Sequence, residues 1–242
     1  VAVEIFKETN GLPNLNVCGV HVHIGSQIVS STPYVKSLEK LVPLIDELRK
    51  NDINIQNLNI GGGLGVIYLD EEPQFANDFA AAILPMVKAT NCRLLLEPGR
   101  FITGNSGILL TKVLYVKRTT TKNFVIVDAA MNDLVRPALY EAYHRIKPVK
   151  ITSDEEELVD VVGPVCESSD FFAKDRKVLK VQQGDYLSIF TAGAYGFAMA
   201  SNYNSRPRTA EVLVKDEQYF IVRERETYED LIKGESIPEF LF

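Results

Sequence analysis

The sequence predicts two consecutive units, an α/β segment over residues 1–103 and a mainly antiparallel β domain over residues 104–242. Up to residue 100, short apolar strands alternate with helices of apolar periodicity, a pattern typical of parallel strands joined by right-handed crossovers. After residue 104, β-rich runs follow one another across short polar turns, without long helices between them. The predicted fold class is therefore α/β plus all-β.

The α/β segment contains alternating strands and helices. The predicted strands cover residues 17–24, 58–60 and 93–96. The first helix begins at Thr32-Pro33, with the threonine as N-cap and the proline in the first turn. The second helix covers residues 73–88. Residues 1–6 resemble the middle of a helix, which leaves open a further N-terminal portion.

The β domain is predicted from runs rich in β-branched and aromatic residues. These runs cover residues 108–118, 123–129, 158–163, 185–191, 209–214 and 218–223. After the second run, Arg136 and Tyr140 lie four residues apart in a short predicted helix, and therefore on one face of that helix.

Composition excludes several classes of partner. The chain has 46% hydrophobic and 24% charged residues and a formal net charge of −6, without a basic run. This argues against nucleic acid or an anionic membrane as the main partner. Cys18, Cys92 and Cys166 are odd in number and widely spaced, which indicates neither a disulfide framework nor a metal site and favours a reducing compartment. No run is long enough for a membrane span and no signal peptide is recognisable, so a cytoplasmic protein is expected.

Three consecutive glycines, Gly61 to Gly63, follow the second predicted strand. Glycines permit positive φ angles, and their backbone N–H groups can converge on phosphate oxygens. The alternative is a tight strand-to-helix turn without a ligand. The sequence therefore predicts either an anion-binding loop or a structural turn here.

Polar groups also follow the other two predicted strands. His23 and Ser26 lie at the end of the first strand, and His23, which is nearer the turn than His21, is the better candidate ligand. Glu97 follows four apolar residues and is expected to point inward and need a partner, which a protonated ring nitrogen could supply. Arg100 could bind a phosphate or carboxylate in a fork geometry.

In the β domain, polar groups that could bind a ligand occur on loops. A thiol, Cys166, stands beside the carboxylates of Glu167 and Asp170. Tyr195 is flanked by glycines after an apolar strand, where its hydroxyl could face a ligand. Arg136 and Tyr140 follow a further strand. Each of these signals is weak alone.

Together, the short motifs occur in a fixed order along the chain. They are His21-Val22-His23-Ile24-Gly25-Ser26-Gln27-Ile28, Gly61-Gly62-Gly63, Glu97-Pro98-Gly99-Arg100, Arg136 with Tyr140, Cys166-Glu167-Ser168-Ser169-Asp170 and Gly193-Ala194-Tyr195-Gly196. In this combination the chain resembles the diaminopimelate decarboxylases, within the alanine-racemase-like group of pyridoxal-phosphate enzymes that includes ornithine and arginine decarboxylases. The resemblance covers residues 21–208.

The resemblance implies a fold and a cofactor site. Residues 1–103 would form the later strands and helices of a (β/α)8 TIM-like barrel, and residues 104–242 a C-terminal antiparallel β-sandwich or barrel domain. The cofactor would be pyridoxal 5'-phosphate. His23 would stack on its ring and take part in catalysis, and Glu97 would pair with its ring nitrogen. The other cofactor-binding residues implied are Ser26, Gly61, Gly62, Gly63, Gly99, Arg100 and Tyr195.

The resemblance also implies a reaction, the decarboxylation of meso-2,6-diaminopimelate to L-lysine and carbon dioxide. The residues implied to bind substrate are Arg100, Arg136, Tyr140, Glu167 and Tyr195. Cys166 would be the catalytic proton donor. In the family this cysteine and the glutamate after it reach the pocket of the partner subunit, so a homodimer is expected.

Two alternatives remain open. One is a decarboxylase of another basic amino acid, of the ornithine or arginine type, although such enzymes have aspartate where this chain has Glu167. The other is a non-catalytic homologue that acts as a binding or regulatory subunit. Members of the family hold the cofactor through a lysine before the histidine motif. Lys7, in an apparent helix, is not accepted as that lysine, so a further segment is expected to supply it.

Overall fold

In the computed structural model, which describes residues 1–241, the chain forms two units that divide between Ser106 and Gly107. The domain boundary expected at residue 104 falls close to this division. Each unit contains its own cluster of buried apolar side chains. Within the described residues, no helix has the length and apolar character needed to cross a membrane.

The first unit is built on a three-stranded parallel sheet in the order β1-β2-β3. Its elements are α1 (Ala2–Asn10), β1 (Gly19–His21), α2 (Thr32–Lys50), β2 (Asn57–Asn59), α3 (Ala76–Ala89), β3 (Arg93–Leu95) and α4 (Arg100–Thr103). Leu58 in the central strand pairs with Val20 on one side and with Leu94 on the other. The predicted alternation of parallel strands with helices is confirmed.

Helices α2 and α3 bury their apolar faces with the sheet. The side chains without exposed surface in this cluster are Leu38, Ile45, Leu48, Ile55 and Leu58. Replacing a buried leucine of this kind with alanine typically costs about 2–5 kcal/mol. This packing is what holds the carboxyl ends of the three strands in one place.

The predicted element boundaries need correction in this unit. Strand β1 covers only three of the eight residues predicted, and β3 ends one residue earlier than predicted. Strand β2 keeps its predicted length but begins and ends one residue earlier. After β1, the Ile28 N–H donates to the Gly63 carbonyl. Thr32 is the first helical residue of α2, and Ser31 is its N-cap. Helix α3 begins at Ala76 and not at Pro73, since the preceding Gln74 N–H donates to the Val29 carbonyl.

The second unit contains a six-stranded sheet in the order β6-β9-β4-β5-β7-β8 and a separate hairpin, β10-β11. Its elements are β4 (Leu109–Arg118), β5 (Asn123–Val127), α5 (Arg136–Tyr140), β6 (Ile146–Pro148), β7 (Glu156–Val162), β8 (Phe171–Leu179), β9 (Tyr186–Ile189), β10 (Glu211–Lys215), β11 (Gln218–Arg223) and α6 (Tyr228–Leu231). All pairs are antiparallel except β5 with β7.

The mainly antiparallel character of this unit is confirmed, but two of its strands are missing from the prediction. Strand β6 has only three residues and ends in Pro148. Strand β8 contains the charged run Lys174-Asp175-Arg176-Lys177, which hides its apolar alternation. Strand β8 pairs with β7 along most of its length, and this pairing places its apolar side chains in the core.

Candidate functional site

The glycine loop, Gly61 to Gly63, leaves the central strand of the first unit. Gly61 has φ 71° and Gly63 φ 95°, so the predicted positive φ angles are confirmed. At Gly62 a side chain is excluded for another reason, because a Cβ would lie 2.1 Å from the carbonyl oxygen of Glu97. The hydroxyl of the buried Tyr34 donates to the Gly62 carbonyl at 2.8 Å. The loop is therefore fixed both to the neighbouring strand end and to helix α2.

Glu97 lies where β3 leaves the sheet. The expectation that its side chain points inward is wrong, because the side chain retains 52% of its exposure. The Asn59 side-chain amide donates to Oε1 of Glu97 at 2.7 Å, and the imidazole Nε2 of His21 lies 3.6 Å from the same oxygen. Strand β3 has only three residues, so the apolar run before Glu97 is not a buried strand up to the carboxylate. The carboxylate is thus exposed and available to a ligand.

The two histidines have different partners. Strand β1 ends at His21, so His23 lies beyond the strand, which was predicted to continue to residue 24. The ring of His23 is exposed, and its Nδ1 accepts a long hydrogen bond of 3.4 Å from the Gly62 N–H. His23 therefore contacts the glycine loop, whereas His21 contacts Glu97.

Arg100 begins the short helix α4, with Gly99 as its N-cap. Its Nη2 donates to the Ser26 hydroxyl at 3.3 Å, and its Nη1 donates to the Tyr68 hydroxyl at 3.2 Å. The guanidinium also lies over the Tyr68 ring, 5.4 Å from the ring centre. A guanidinium and a hydroxyl held side by side suit the binding of a phosphate or carboxylate oxygen.

These groups of the first unit fit pyridoxal phosphate by their chemistry. A half-exposed carboxylate, Glu97, can pair with a protonated ring nitrogen, and the exposed imidazole of His23 can contact a ring. The Ser26 hydroxyl, the Arg100 guanidinium and the backbone amides of the glycine loop are ligands that proteins use for phosphate. The ends of the three parallel strands bring them together.

Arg136 begins helix α5 in the second unit and is buried, with 6% of its surface exposed. Its Nη1 lies 2.9 Å from Nε2 of the fully buried His144, whose Nδ1 lies 2.8 Å from the Phe190 carbonyl. Since a guanidinium only donates, Nε2 accepts, and Nδ1–H donates to the carbonyl. His144 is thus a neutral acceptor that makes burial of the arginine possible.

Tyr140 and Tyr195 both expose their rings, as a ligand-binding role requires. Tyr140 is the last residue of α5, four positions after Arg136. Tyr195 has φ 60°, a left-handed conformation that non-glycine residues rarely adopt. The following Gly196 excludes a side chain, because a Cβ there would lie 2.3 Å from the Ala192 carbonyl oxygen.

The loop with Cys166 and Glu167 presents both side chains to solvent. The Tyr203 hydroxyl donates to Oε2 of Glu167 at 3.2 Å, and this hydrogen bond, together with the negative charge, raises the pKa of Tyr203. Asp170 is buried and accepts from the backbone N–H of Met131 at 2.7 Å and of Val165 at 2.6 Å. Burial raises the pKa of Asp170, although these two hydrogen bonds oppose the increase.

Asp170 therefore connects the cysteine loop to the segment that leads into α5.

The predicted site residues form two groups, one in each unit. In the first unit these are His23, Ser26, Gly61, Gly62, Gly63, Glu97, Gly99 and Arg100, and in the second unit Arg136, Tyr140, Cys166, Glu167 and Tyr195. The polar neighbours that the sequence did not single out are Asn59, Tyr68, His144 and Tyr203. Of these, Asn59 carried a signal, since it directly precedes the strand end before the glycine loop.

Comparisons with known proteins identify the family of the chain. The family model described as "Pyridoxal-dependent decarboxylase, C-terminal sheet domain" matches residues 20–193. The diaminopimelate decarboxylase of Vibrio cholerae is 46% identical over 240 residues, which are 98% of this chain and 57% of that protein. The chain thus spans little more than half the length of the curated relatives it matches.

Solved structures give the same result. A crystal structure of diaminopimelate decarboxylase from M. jannaschii has a TM-score of 0.93 and 42% identity, covering 100% of this chain and 57% of the other. The Helicobacter pylori enzyme, solved with L-lysine, has a TM-score of 0.89 and 40% identity over 96% of this chain and 58% of the other. With a family match over most of its length, this chain belongs to the pyridoxal-dependent decarboxylases.

Proposed function

We propose that the enzyme containing this chain uses pyridoxal 5'-phosphate to decarboxylate meso-2,6-diaminopimelate to L-lysine and carbon dioxide. The observation that carries the proposal is the identity of 43–48% to curated diaminopimelate decarboxylases along nearly the whole chain. The substrate class is supported by the lysine named in the Helicobacter pylori structure. The site residues described above would bind the cofactor and the substrate, and the lysine that holds the cofactor is expected from a further segment.

The first unit would hold the cofactor. His23 would lie against its ring, and Ser26, Arg100 and the glycine loop would bind its phosphate. Glu97 would hold a proton on the ring nitrogen by ion pairing, the role for which its exposed carboxylate is suited. When bound, pyridoxal phosphate supplies an electron sink for the negative charge left on carbon as carbon dioxide departs.

The second unit would bind and orient the substrate. Arg136, Tyr140 and Tyr195 would bind the substrate, and Arg100 of the first unit is proposed as a further substrate ligand. Glu167 would accept hydrogen bonds from the distal ammonium. Cys166 would donate its Sγ proton to the carbon that has lost the carboxylate. Its exposed position on a loop supports this role, because a donor must reach the reacting atom.

We also propose that the enzyme is a homodimer in the cytoplasm. Cys166 and Glu167 are exposed on a loop, where they could enter the pocket of a partner subunit. The three cysteines are free, which agrees with a reducing compartment.

The test is a comparison of substrates with the purified enzyme and pyridoxal phosphate. Meso-diaminopimelate, ornithine, arginine and lysine are supplied separately, and carbon dioxide and the product amine are measured. We expect kcat/KM for diaminopimelate to exceed that for the other substrates by about a hundredfold or more. A substrate without the second carboxylate leaves the polar groups that bind this carboxylate without a partner. Preference for ornithine or arginine would favour the other decarboxylase type. Absence of turnover with all four would favour a non-catalytic homologue.

A further inference from the structure

We propose that Asn59 is a positioning residue that connects the glycine loop to Glu97 and fixes the direction in which the Glu97 carboxylate faces the cofactor. The proposal rests on the proposed function, because it concerns the cofactor site of that reaction. It names a residue outside the set of ligands inferred above. The evidence comes from the hydrogen bonds of a single side chain at the end of β2.

The Asn59 side chain makes two hydrogen bonds, one to each part of the site. Its Oδ1 accepts from the Gly61 backbone N–H at 2.8 Å, and its Nδ2 donates to Oε1 of Glu97 at 2.7 Å. A backbone N–H can only donate, so the amide oxygen must face Gly61. The orientation of the amide is therefore fixed, and its NH₂ group must face Glu97.

The backbone of the two elements is joined beside this side chain. The Glu97 N–H donates to the Gly61 carbonyl at 2.9 Å. Asn59, Gly61 and Glu97 thus form a closed set of three hydrogen bonds across the ends of β2 and β3. A shift of the loop would move Glu97 with it, and so the distance between phosphate-binding and ring-binding groups is kept constant.

The polarity of the contact matters as much as its position. The Asn59 NH₂ group donates to a carboxylate oxygen, and a hydrogen bond to a charged acceptor of this kind is stronger than one between neutral groups. An aspartate at position 59 would still accept from Gly61 but would place two carboxylates in contact. The two carboxylates would repel each other unless they shared a proton, so the contact that positions Glu97 would be weakened or changed.

The experiment uses the enzyme containing this chain and three variants. In Asn59→Asp the side chain can still accept from the Gly61 N–H, but it presents a carboxylate oxygen to Glu97 where asparagine presents an NH₂ donor. In Asn59→Asp with Glu97→Gln, the glutamine amide can donate to the aspartate, so the hydrogen bond is restored with opposite polarity. Asn57→Asp is the matched control, because Asn57 lies two positions earlier on the same face of β2 and its amide donates to the Cys18 carbonyl. The readouts are the dissociation constant of pyridoxal phosphate, kcat and the thermal midpoint.

We expect Asn59→Asp to weaken cofactor binding by about tenfold or more, as for loss of a hydrogen bond to a charged group, and to lower kcat. The double variant should recover most of the cofactor affinity but not kcat, since the Glu97 carboxylate is gone. Asn57→Asp should bind cofactor as the wild type does. If Asn59→Asp does not fold, the double variant must fold, because it lacks the repulsion.

Cofactor affinity and kcat of Asn59→Asp equal to those of the wild type would overturn the inference. A double variant that binds the cofactor and folds no better than Asn59→Asp would also overturn the inference, because Asn59 would then not act through Glu97. A wild-type enzyme that bound no cofactor would contradict the proposed function, and this inference with it. If the wild type binds the cofactor and Asn59→Asp behaves like the wild type, the inference about Asn59 is contradicted but the proposed function is not.

Discussion

Arg136 places a positive charge inside the β unit, where an unpaired guanidinium would be costly. His144 accepts from it and is itself fixed by the Phe190 carbonyl. This chain of hydrogen bonds determines the direction of the guanidinium before any substrate arrives. A pre-oriented guanidinium loses little further entropy when it binds a carboxylate.

For Arg136→Lys we expect a KM for diaminopimelate raised by about tenfold or more, because an ammonium cannot replace the planar fork of a guanidinium. Steady-state kinetics with the loaded enzyme measure this. Arg93→Lys, an exposed arginine on β3, is the control and should leave KM unchanged. An unchanged KM in Arg136→Lys would remove Arg136 from the substrate pocket.

For individual residues, the sequence predicted which residue types lie at the strand ends, but not how exposed their side chains are or which groups they contact. Glu97 follows four apolar residues, yet its carboxylate is half exposed because β3 ends two residues earlier. Arg136 is buried, and its acceptor His144 lies outside the helix that carries Arg136. Partners of this kind depend on tertiary contacts that no local pattern contains.

The glycine loop is the element on which the first unit's site depends. Gly62→Ala would bring a Cβ within 2.1 Å of the Glu97 carbonyl oxygen, so the loop or the end of β3 must shift. We expect a loss of about 1–3 kcal/mol in the free energy of unfolding and weaker binding of pyridoxal phosphate. Chemical denaturation and a cofactor titration measure the two effects.

Gly11→Ala provides the matched control in the same unit. Its Cβ would meet only ordinary contacts, at 3.6 Å and 4.0 Å. The control should change neither stability nor cofactor affinity appreciably. Wild-type cofactor affinity in Gly62→Ala would mean that the loop does not contribute to the site.

In the second unit, Arg118 on β4 reaches across β5 to Glu157 on β7. Two hydrogen bonds of 2.8 Å and 2.9 Å join their side chains. The hydrogen bond and the charge of Arg118 lower the pKa of Glu157 below the ordinary value of 4.5. Because the pKa is lowered in the folded state, the stabilisation is present above the ordinary value and is lost as pH falls through the folded-state value.

We therefore expect Glu157→Gln to lower the free energy of unfolding by about 0.5–1 kcal/mol at pH 7, and the difference from the wild type to vanish in acid. Urea denaturation at a series of pH values measures this. Glu156→Gln, an exposed neighbour, is the control. A difference that persisted below the folded-state pKa would show that the effect is not electrostatic.

Elements were predictable where apolar periodicity was strong, as in the helix over Thr32–Lys50 and the strand over Gln218–Arg223. The strand over Phe171–Leu179 was missed, because four successive charged residues interrupt its alternation. Its pairing with β7 determines its conformation, in spite of the local sequence. Some strands were predicted too long, as for β1, β5 and β9, since the turns that end them depend on contacts with other loops.

At the scale of the whole molecule, the two units supply different parts of the proposed reaction. Glu97 belongs to the first unit and Cys166 to the second. If Cys166 acts in the pocket of a partner subunit, one pocket of a mixed dimer can be complete even when each chain carries one defect. This gives the dimer a direct test.

We expect Cys166→Ala and Glu97→Gln each to have a low kcat, and an equal mixture to recover up to about a quarter of the wild-type activity after random subunit exchange. Carbon dioxide release is measured, and exchange is checked with labelled subunits. No recovery after proven exchange would mean that Cys166 does not act across the interface.

The central claim is that the ends of the three parallel strands form the cofactor site of a decarboxylase, with Glu97 as the partner of the ring nitrogen. The measurement that tests it most directly is kcat for diaminopimelate in Glu97→Gln at full occupancy by pyridoxal phosphate, beside Glu39→Gln as an exposed control on α2. Glutamine keeps the shape and the Asn59 contact but removes the charge, so we expect kcat to fall by about a hundredfold or more while the control is unaffected. A variant that binds the cofactor and turns over at the wild-type rate would contradict the account.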